Sequence, residues 1–146
     1  MDNSSLQAFI SKIPELKYKY LGSFSAQNSI PVDGMKPNTF QIVNTSNSIG
    51  EHWVVIVKGG ASGNMLYFGD SMGKRVEQYK NLQKFHKRIS HQVVKRRVQV
   101  MPDLCGFYTI YIAFKIFAQF ELSDYKPYLD FTEYELIKFV NKYNFY

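Results

Sequence analysis

His52-Trp53-Val54-Val55-Ile56-Val57-Lys58-Gly59-Gly60-Ala61-Ser62-Gly63-Asn64-Met65-Leu66-Tyr67-Phe68-Gly69-Asp70 sets the organisation of this chain. Residues 52–58 are rich in β-branched and aromatic side chains, the composition of a buried strand. The glycine-rich run 59–64 makes a loose hairpin turn, and residues 65–68 return as a second strand. Antiparallel pairing brings His52, at the start of the first strand, near Asp70, at the end of the second. An imidazole held by a carboxylate is a base kept in one tautomer, so the hairpin predicts both a sheet and two members of a catalytic relay at its edge. Asp70 also stands where it would cap a following helix.

Outward from the hairpin, local patterns place the other elements. Ser4 or Ser5 is placed to cap a short helix to about Lys12, and a loop through Pro31, Gly34 and Pro37 leads to an extended segment at residues 40–44. Val76, Tyr79, Leu82, Phe85 and Ile89 recur at three- and four-residue steps, which predicts a helix over residues 74–90. Residues 93–100 read as a strand that Pro102 stops. Cys105 then opens a long apolar helix to Phe120, and Thr132 caps a last helix through Val140.

The 146 residues suit one domain, 1–146, with one active site and without internal repeats or low-complexity tracts. The chain is 45% hydrophobic and 21% charged, with 11 Tyr and 12 Phe, a soluble globular composition that is unusually aromatic. Its first residues lack the basic start and apolar core of a signal peptide, which predicts a protein that is not secreted and works in a reducing compartment. The longest apolar run, 105–120, is shorter than the roughly 20 residues a bilayer span needs, so no membrane association is expected. The single cysteine excludes an internal disulfide and any multi-thiolate metal site, and no metal or other cofactor is expected.

A lone cysteine is commonly just a small buried apolar residue. Cys105 has surroundings that suit a nucleophile. Thiols attack as thiolates, and the positive end of a helix dipole or a nearby imidazole lowers their pKa. Cys105-Gly106 stands at an expected helix start, and Gly106 leaves room for a substrate backbone. Of the three histidines, His86 and His91 lie in a basic stretch, are expected to face solvent, and have a five-residue spacing that is not a helical metal pair. His52, on a buried strand and followed by Trp53, is the candidate base.

Gly50-Glu51-His52-Trp53, Phe68-Gly69-Asp70-Ser71-Met72-Gly73 and Gln99 six residues before Cys105-Gly106 together resemble the adenovirus-type (adenain-like) maturation proteases of DNA viruses and virus-like transposons. The same pattern is similar to that of the SUMO-deconjugating proteases of the same clan. Residues 37–44 look like the strand that precedes His-Trp in the viral enzymes, and the likeness covers about half of the chain. It implies an α+β fold: a mixed β-sheet flanked by helices, with the nucleophile at the N-terminus of a central buried helix. It further implies a cysteine endopeptidase with Cys105 as nucleophile, His52 as base, Asp70 as the residue orienting the base, and Gln99 as oxyanion-hole donor. Capsid or virion precursors cut at Gly-Gly-like sites would be the substrates, with ubiquitin-like conjugates as the alternative. The enzyme would act as a monomer in the virion and the host-cell interior. Stimulation by DNA or an activating peptide is also implied, although a lone cysteine excludes the disulfide tether to such a peptide known in the adenoviral enzyme.

Other readings compete with this one. Gly69-Asp70-Ser71-Met72-Gly73 fits G-x-S-x-G, but the acid and histidine a serine hydrolase needs downstream are poorly supplied by His86 and His91. Gly69–Lys74 lacks the spacing of a P-loop. A clan-related acyltransferase would use a similar Cys-His-acid set. Nine of the 18 Lys and Arg residues fall between Lys74 and Arg97 against one acid, Glu77, which points to a cationic face. Lys87, Arg88, Arg96 and Arg97 are the candidate DNA contacts, and a merely solvated surface is the alternative.

Overall fold

In the computed structural model, which describes residues 2–47, 52–120 and 128–144, the hairpin is the centre of a five-stranded sheet. The strands are β1 (Tyr20–Phe24), β2 (Thr39–Asn44), β3 (Trp53–Gly59), β4 (Met65–Gly69) and β5 (His91–Gln92), hydrogen-bonded in that order. β2, β3 and β4 form an antiparallel meander, while β1 and β5 join its edges in parallel. With helices α1 (Asn3–Ile10), α2 (Cys105–Phe120) and α3 (Glu133–Asn144), this is an α+β fold on a mixed sheet. Gly50 and Glu51 lie outside the described residues.

All seven residues of β3 are buried because both faces of the sheet are covered. On one face Phe40, Ile42, Val55, Val57 and Tyr67 pack in a core with α1, α2 and α3. On the other Val43, Val54, Ile56, Leu66 and Phe68 pack against Val32, Met35, Val76, Leu82 and Phe85. The alternation along each strand follows from the two-residue period of the pleat. Helix α2 buries ten of its sixteen residues, and each fully buried aliphatic side chain there contributes about 1.5–3 kcal/mol. Gly69 allows the close approach: a Cβ there would stand 2.6 Å from Ile112 Cγ2, so a larger residue would push α2 off the end of β4.

Several expected elements take another form. The N-cap of α1 is Asp2, whose carboxylate accepts from Ser5 N at 2.8 Å, and Ser4 and Ser5 lie inside the first turn. The segment expected as a helix over 74–90 contains two 3₁₀ turns instead, Val76–Gln78 and Lys80–Phe85. Its apolar residues Val76, Tyr79, Leu82 and Phe85 are spaced by three, the 3₁₀ repeat, so they line one side only in the tighter helix. The strand expected at 93–100 is also absent. Only His91–Gln92 pairs with β4, after which Val98 N and Gln99 N both donate to the single carbonyl of Ser71, which no strand ladder does. β1 was not anticipated. Thr132 caps α3 as expected, in a reciprocal box with Glu135, and the helix continues to Asn144. Among the described residues no helix is long and apolar enough to cross a membrane.

Candidate active site

His52 stands immediately before β3 and Asp70 immediately after β4, so the hairpin register sets their approach. His52 Nε2 lies 2.6 Å from Asp70 Oδ1. Asp70 is fully buried, and a buried carboxylate is costly unless its oxygens are occupied. Oδ1 also accepts from Met72 N at 2.9 Å, and Oδ2 accepts from the Tyr79 hydroxyl. Tyr79 comes from the turn between the two 3₁₀ segments, and its ring is 6.5 Å from that of His52. Desolvation, followed by the Asp70 hydrogen bond and charge, raises the Tyr79 pKa, which keeps the hydroxyl a donor.

With Nε2 bound to Asp70, Nδ1 is the ring nitrogen left to meet Cys105, whose thiol is acted on by the imidazole and by the Trp53 N–H. Cys105 is the first residue of α2, continuous with the 3₁₀ turn Pro102–Leu104. Burial alone would lower the imidazole pKa, but the hydrogen bonds and charges of Asp70 and Cys105 outweigh it and lift His52 to about 9. Burial alone would raise the thiol, but His52 and the Trp53 N–H outweigh it and lower Cys105. Both shifts favour a thiolate–imidazolium pair.

Gln99 is held from both ends of its amide. Ser71 Oγ donates to Gln99 Oε1 at 2.5 Å, and Gln99 Nε2 donates to Met101 O at 2.8 Å, leaving the second Nε2 proton available. The buried Ser71 therefore orients Gln99 and is not presented as a nucleophile, which removes the main support for the serine-hydrolase reading. The turn from Asp70 to Gly73 joins the two halves of the site. Gly73 N donates to Asp70 O at 2.8 Å, Gly73 has a φ of +75°, and a Cβ there would stand 2.5 Å from the Arg96 carbonyl carbon. Glu133, at the start of α3, fixes the far side: its Oε1 accepts from Val100 N, Met101 N and the Tyr108 hydroxyl.

A cavity of about 370 Å³ is lined by Thr45, His52, Met72, Lys74, Tyr79, Arg97, Gln99 and Pro102. A larger one of about 420 Å³ is lined by Glu15, Lys19, Asn38, Phe114, Phe117, Ala118 and Phe120, away from His52, Asp70 and Gln99. The fold thus brings His52, Asp70 and Cys105 together and sets Gln99 on the wall of the cavity that His52 shares. The basic residues are not gathered on one helix. Arg88 pairs with Asp33 at 3.0 Å, Arg96 pairs with Asp130 at 2.6 Å, Lys87 is exposed, and Arg97 donates from Nε to Gln99 O. His86 and His91, expected to face solvent, are half-buried: His86 Nε2 donates to Tyr79 O, and His91 stacks on Tyr67. Among the described residues no cluster of His, Cys, Asp and Glu is arranged to hold a metal ion.

Tyr79, Ser71 and Glu133 carry parts of the site that spacing did not reveal. Tyr79 reads in the sequence as one apolar position of a helix, and nothing local marks it as a donor to Asp70. Neither any protein-family model nor any curated protein sequence matches the chain.

Proposed function

We propose that this chain is a cysteine endopeptidase with a Cys105–His52–Asp70 triad and Gln99 as oxyanion donor, resembling the viral maturation proteases. The observation that carries the reading is the carboxylate of Asp70 on one imidazole nitrogen of His52 at 2.6 Å, with opposite pKa shifts of His52 and Cys105 that favour the ion pair. The Cys105 thiolate attacks the scissile carbonyl. The free Nε2 proton of Gln99, with backbone N–H groups near Cys105, receives the oxyanion. Protonated His52 gives its proton to the leaving amine, and then takes one from the water that hydrolyses the thioester. Substrates on this reading are capsid precursors cut after small residues such as Gly-Gly. The setting is the virion and the host-cell interior, with stimulation by DNA or by a peptide held without a disulfide.

The test is to incubate the protein with Gly-Gly-containing capsid-precursor peptides, and in parallel with SUMO and ubiquitin fusions and an acetyl donor. Cleavage of the precursor peptides should vanish in Cys105→Ala, with loss of at least about a thousandfold, as when a member of a catalytic unit is removed. Preferential cleavage of the fusions would move the reading to a deconjugating enzyme, and acetyl transfer without cleavage would move it to an acyltransferase. Full activity in Cys105→Ala would sink all three.

A further inference from the structure

The cavity beside His52 and Gln99 carries charge that the triad does not use, from Lys74 and Arg97. Lys74 Nζ stands 5.8 Å over the ring of Tyr79, the residue that holds Asp70 behind His52, so Lys74 belongs to the His52 wall. Arg97 is anchored on the Gln99 wall by its Nε bond to Gln99 O at 2.9 Å, which leaves its two terminal nitrogens free of that bond. Among the described residues neither cation has an ion-pair partner, whereas Arg88 and Arg96 each have one. Asp70 is ion-paired with neither among the described residues; its oxygens are bound by His52, Met72 and Tyr79. Two uncompensated cations lining one concave site attract an anion, and the terminal nitrogens of an anchored guanidinium match a carboxylate.

We propose that this cavity is a subsite for an acidic side chain of the substrate, on the leaving-group side of the scissile bond, read by Lys74 and Arg97. The proposal rests on the protease reading and adds to it a requirement after the cut, where that reading specified only small residues before it. The side follows from the mechanism. His52 must protonate the leaving amine, so the chain beyond the cut passes the His52 wall, where Lys74 stands over Tyr79. The contact is charge-assisted but partly solvated, so salt should weaken it.

Two measurements test this. In the first, matched peptides with Gly-Gly before the cut carry Asp, Ser or Lys at the first or second position after it, and kcat/KM is compared within each protein variant. The unmodified protein should favour Asp over Lys by about fivefold, the ratio should fall towards one in Lys74→Gln and Arg97→Gln, and it should invert in Lys74→Glu. Reading a ratio inside each variant keeps the result independent of any general loss of turnover. Equal rates for Asp and Lys peptides in the unmodified protein overturn the proposal.

The second measurement needs no hydrolysis: the rate of Cys105 alkylation by anionic iodoacetate is divided by that for neutral iodoacetamide. The ratio should drop severalfold in Lys74→Glu and Arg97→Glu, and an unchanged ratio overturns the cationic cavity itself. A protein that cleaves no peptide, yet shows the drop, loses the protease reading and with it the assignment to a leaving-group side chain. Protection of Cys105 from alkylation by a short DNA duplex, without protection by an acidic peptide, overturns the peptide subsite in favour of a phosphate seat.

Discussion

At neutral pH the proton between His52 and Cys105 belongs on the ring, because the imidazole is lifted to about 9 while the thiol is lowered. Hydrolysis needs both the thiolate and the imidazolium, so kcat/KM should rise as pH climbs through the lowered thiol pKa and fall as His52 loses its proton near 9. Iodoacetamide needs only the thiolate, so its alkylation of Cys105 should show the rise without the fall. The two limbs are apparent values of the coupled pair. Asp70→Asn removes the carboxylate hydrogen bond and charge that raise the imidazole, so the alkaline limb should move below about 9 and turnover should drop. An unmoved limb with only a lower Tm would make Asp70 a structural cap. Tyr79→Phe leaves the charge but frees Asp70 Oδ2 to turn, and should cost about tenfold in kcat with KM little changed, the scale of one charge-assisted hydrogen bond. The approach of His52 to Asp70 was legible in the sequence because antiparallel pairing of the two hairpin strands puts the start of one beside the end of the other. Tyr79, Ser71 and Glu133 were not, because each acts through where a turn or helix start happens to place it.

Between residues and fold, the turn from Asp70 to Gly73 is the element on which the site depends. It follows β4 with Asp70 and presents the Ser71 carbonyl and hydroxyl to the segment carrying Gln99. Gly73→Ala should therefore act twice. A φ of +75° disfavours alanine, and the new Cβ would lie 2.5 Å from backbone of Arg96, so the turn must shift. The expected cost is about 2 kcal/mol in urea unfolding, with turnover falling further than stability explains because Gln99 moves with the turn. Normal kcat at reduced stability would show that Gln99 does not depend on the turn. The meander β2–β4 and helix α2 could be read from sequence because burial on both faces, or along a whole helix, writes long apolar runs. β1 could not, since Tyr20–Phe24 is mostly half-buried and its parallel pairing with β2 spans a loop without local signal. The 3₁₀ turns read as an α-helix in the sequence because steps of three and four are both helical, yet from Val76 to Phe85 only threes occur.

For the molecule as a whole, the net charge of +6 concentrates in the segment from Lys74 to Arg97, yet the fold compensates part of it through Asp33 and Asp130. Both ion pairs are exposed, and exposed pairs are worth at most about 1 kcal/mol, so phosphates can displace the carboxylates at small cost. Duplex DNA should then bind without sequence preference and weaken with salt, at a log–log slope of about −0.9 for each phosphate contacted. Lys87→Glu, Arg88→Glu and Arg96→Glu together should remove that binding, and Arg97 is left in place because it borders the cavity beside His52. The carboxylates give a separate handle. Asp33→Asn and Asp130→Asn free Arg88 and Arg96 without adding charge to the DNA-facing residues themselves, so the duplex should bind more tightly and the salt slope should steepen if those arginines meet phosphates. A protein that binds no duplex at low salt, with or without its two compensating aspartates, has a cationic surface that only keeps it dissolved, and DNA stimulation of the protease then has no seat in this segment.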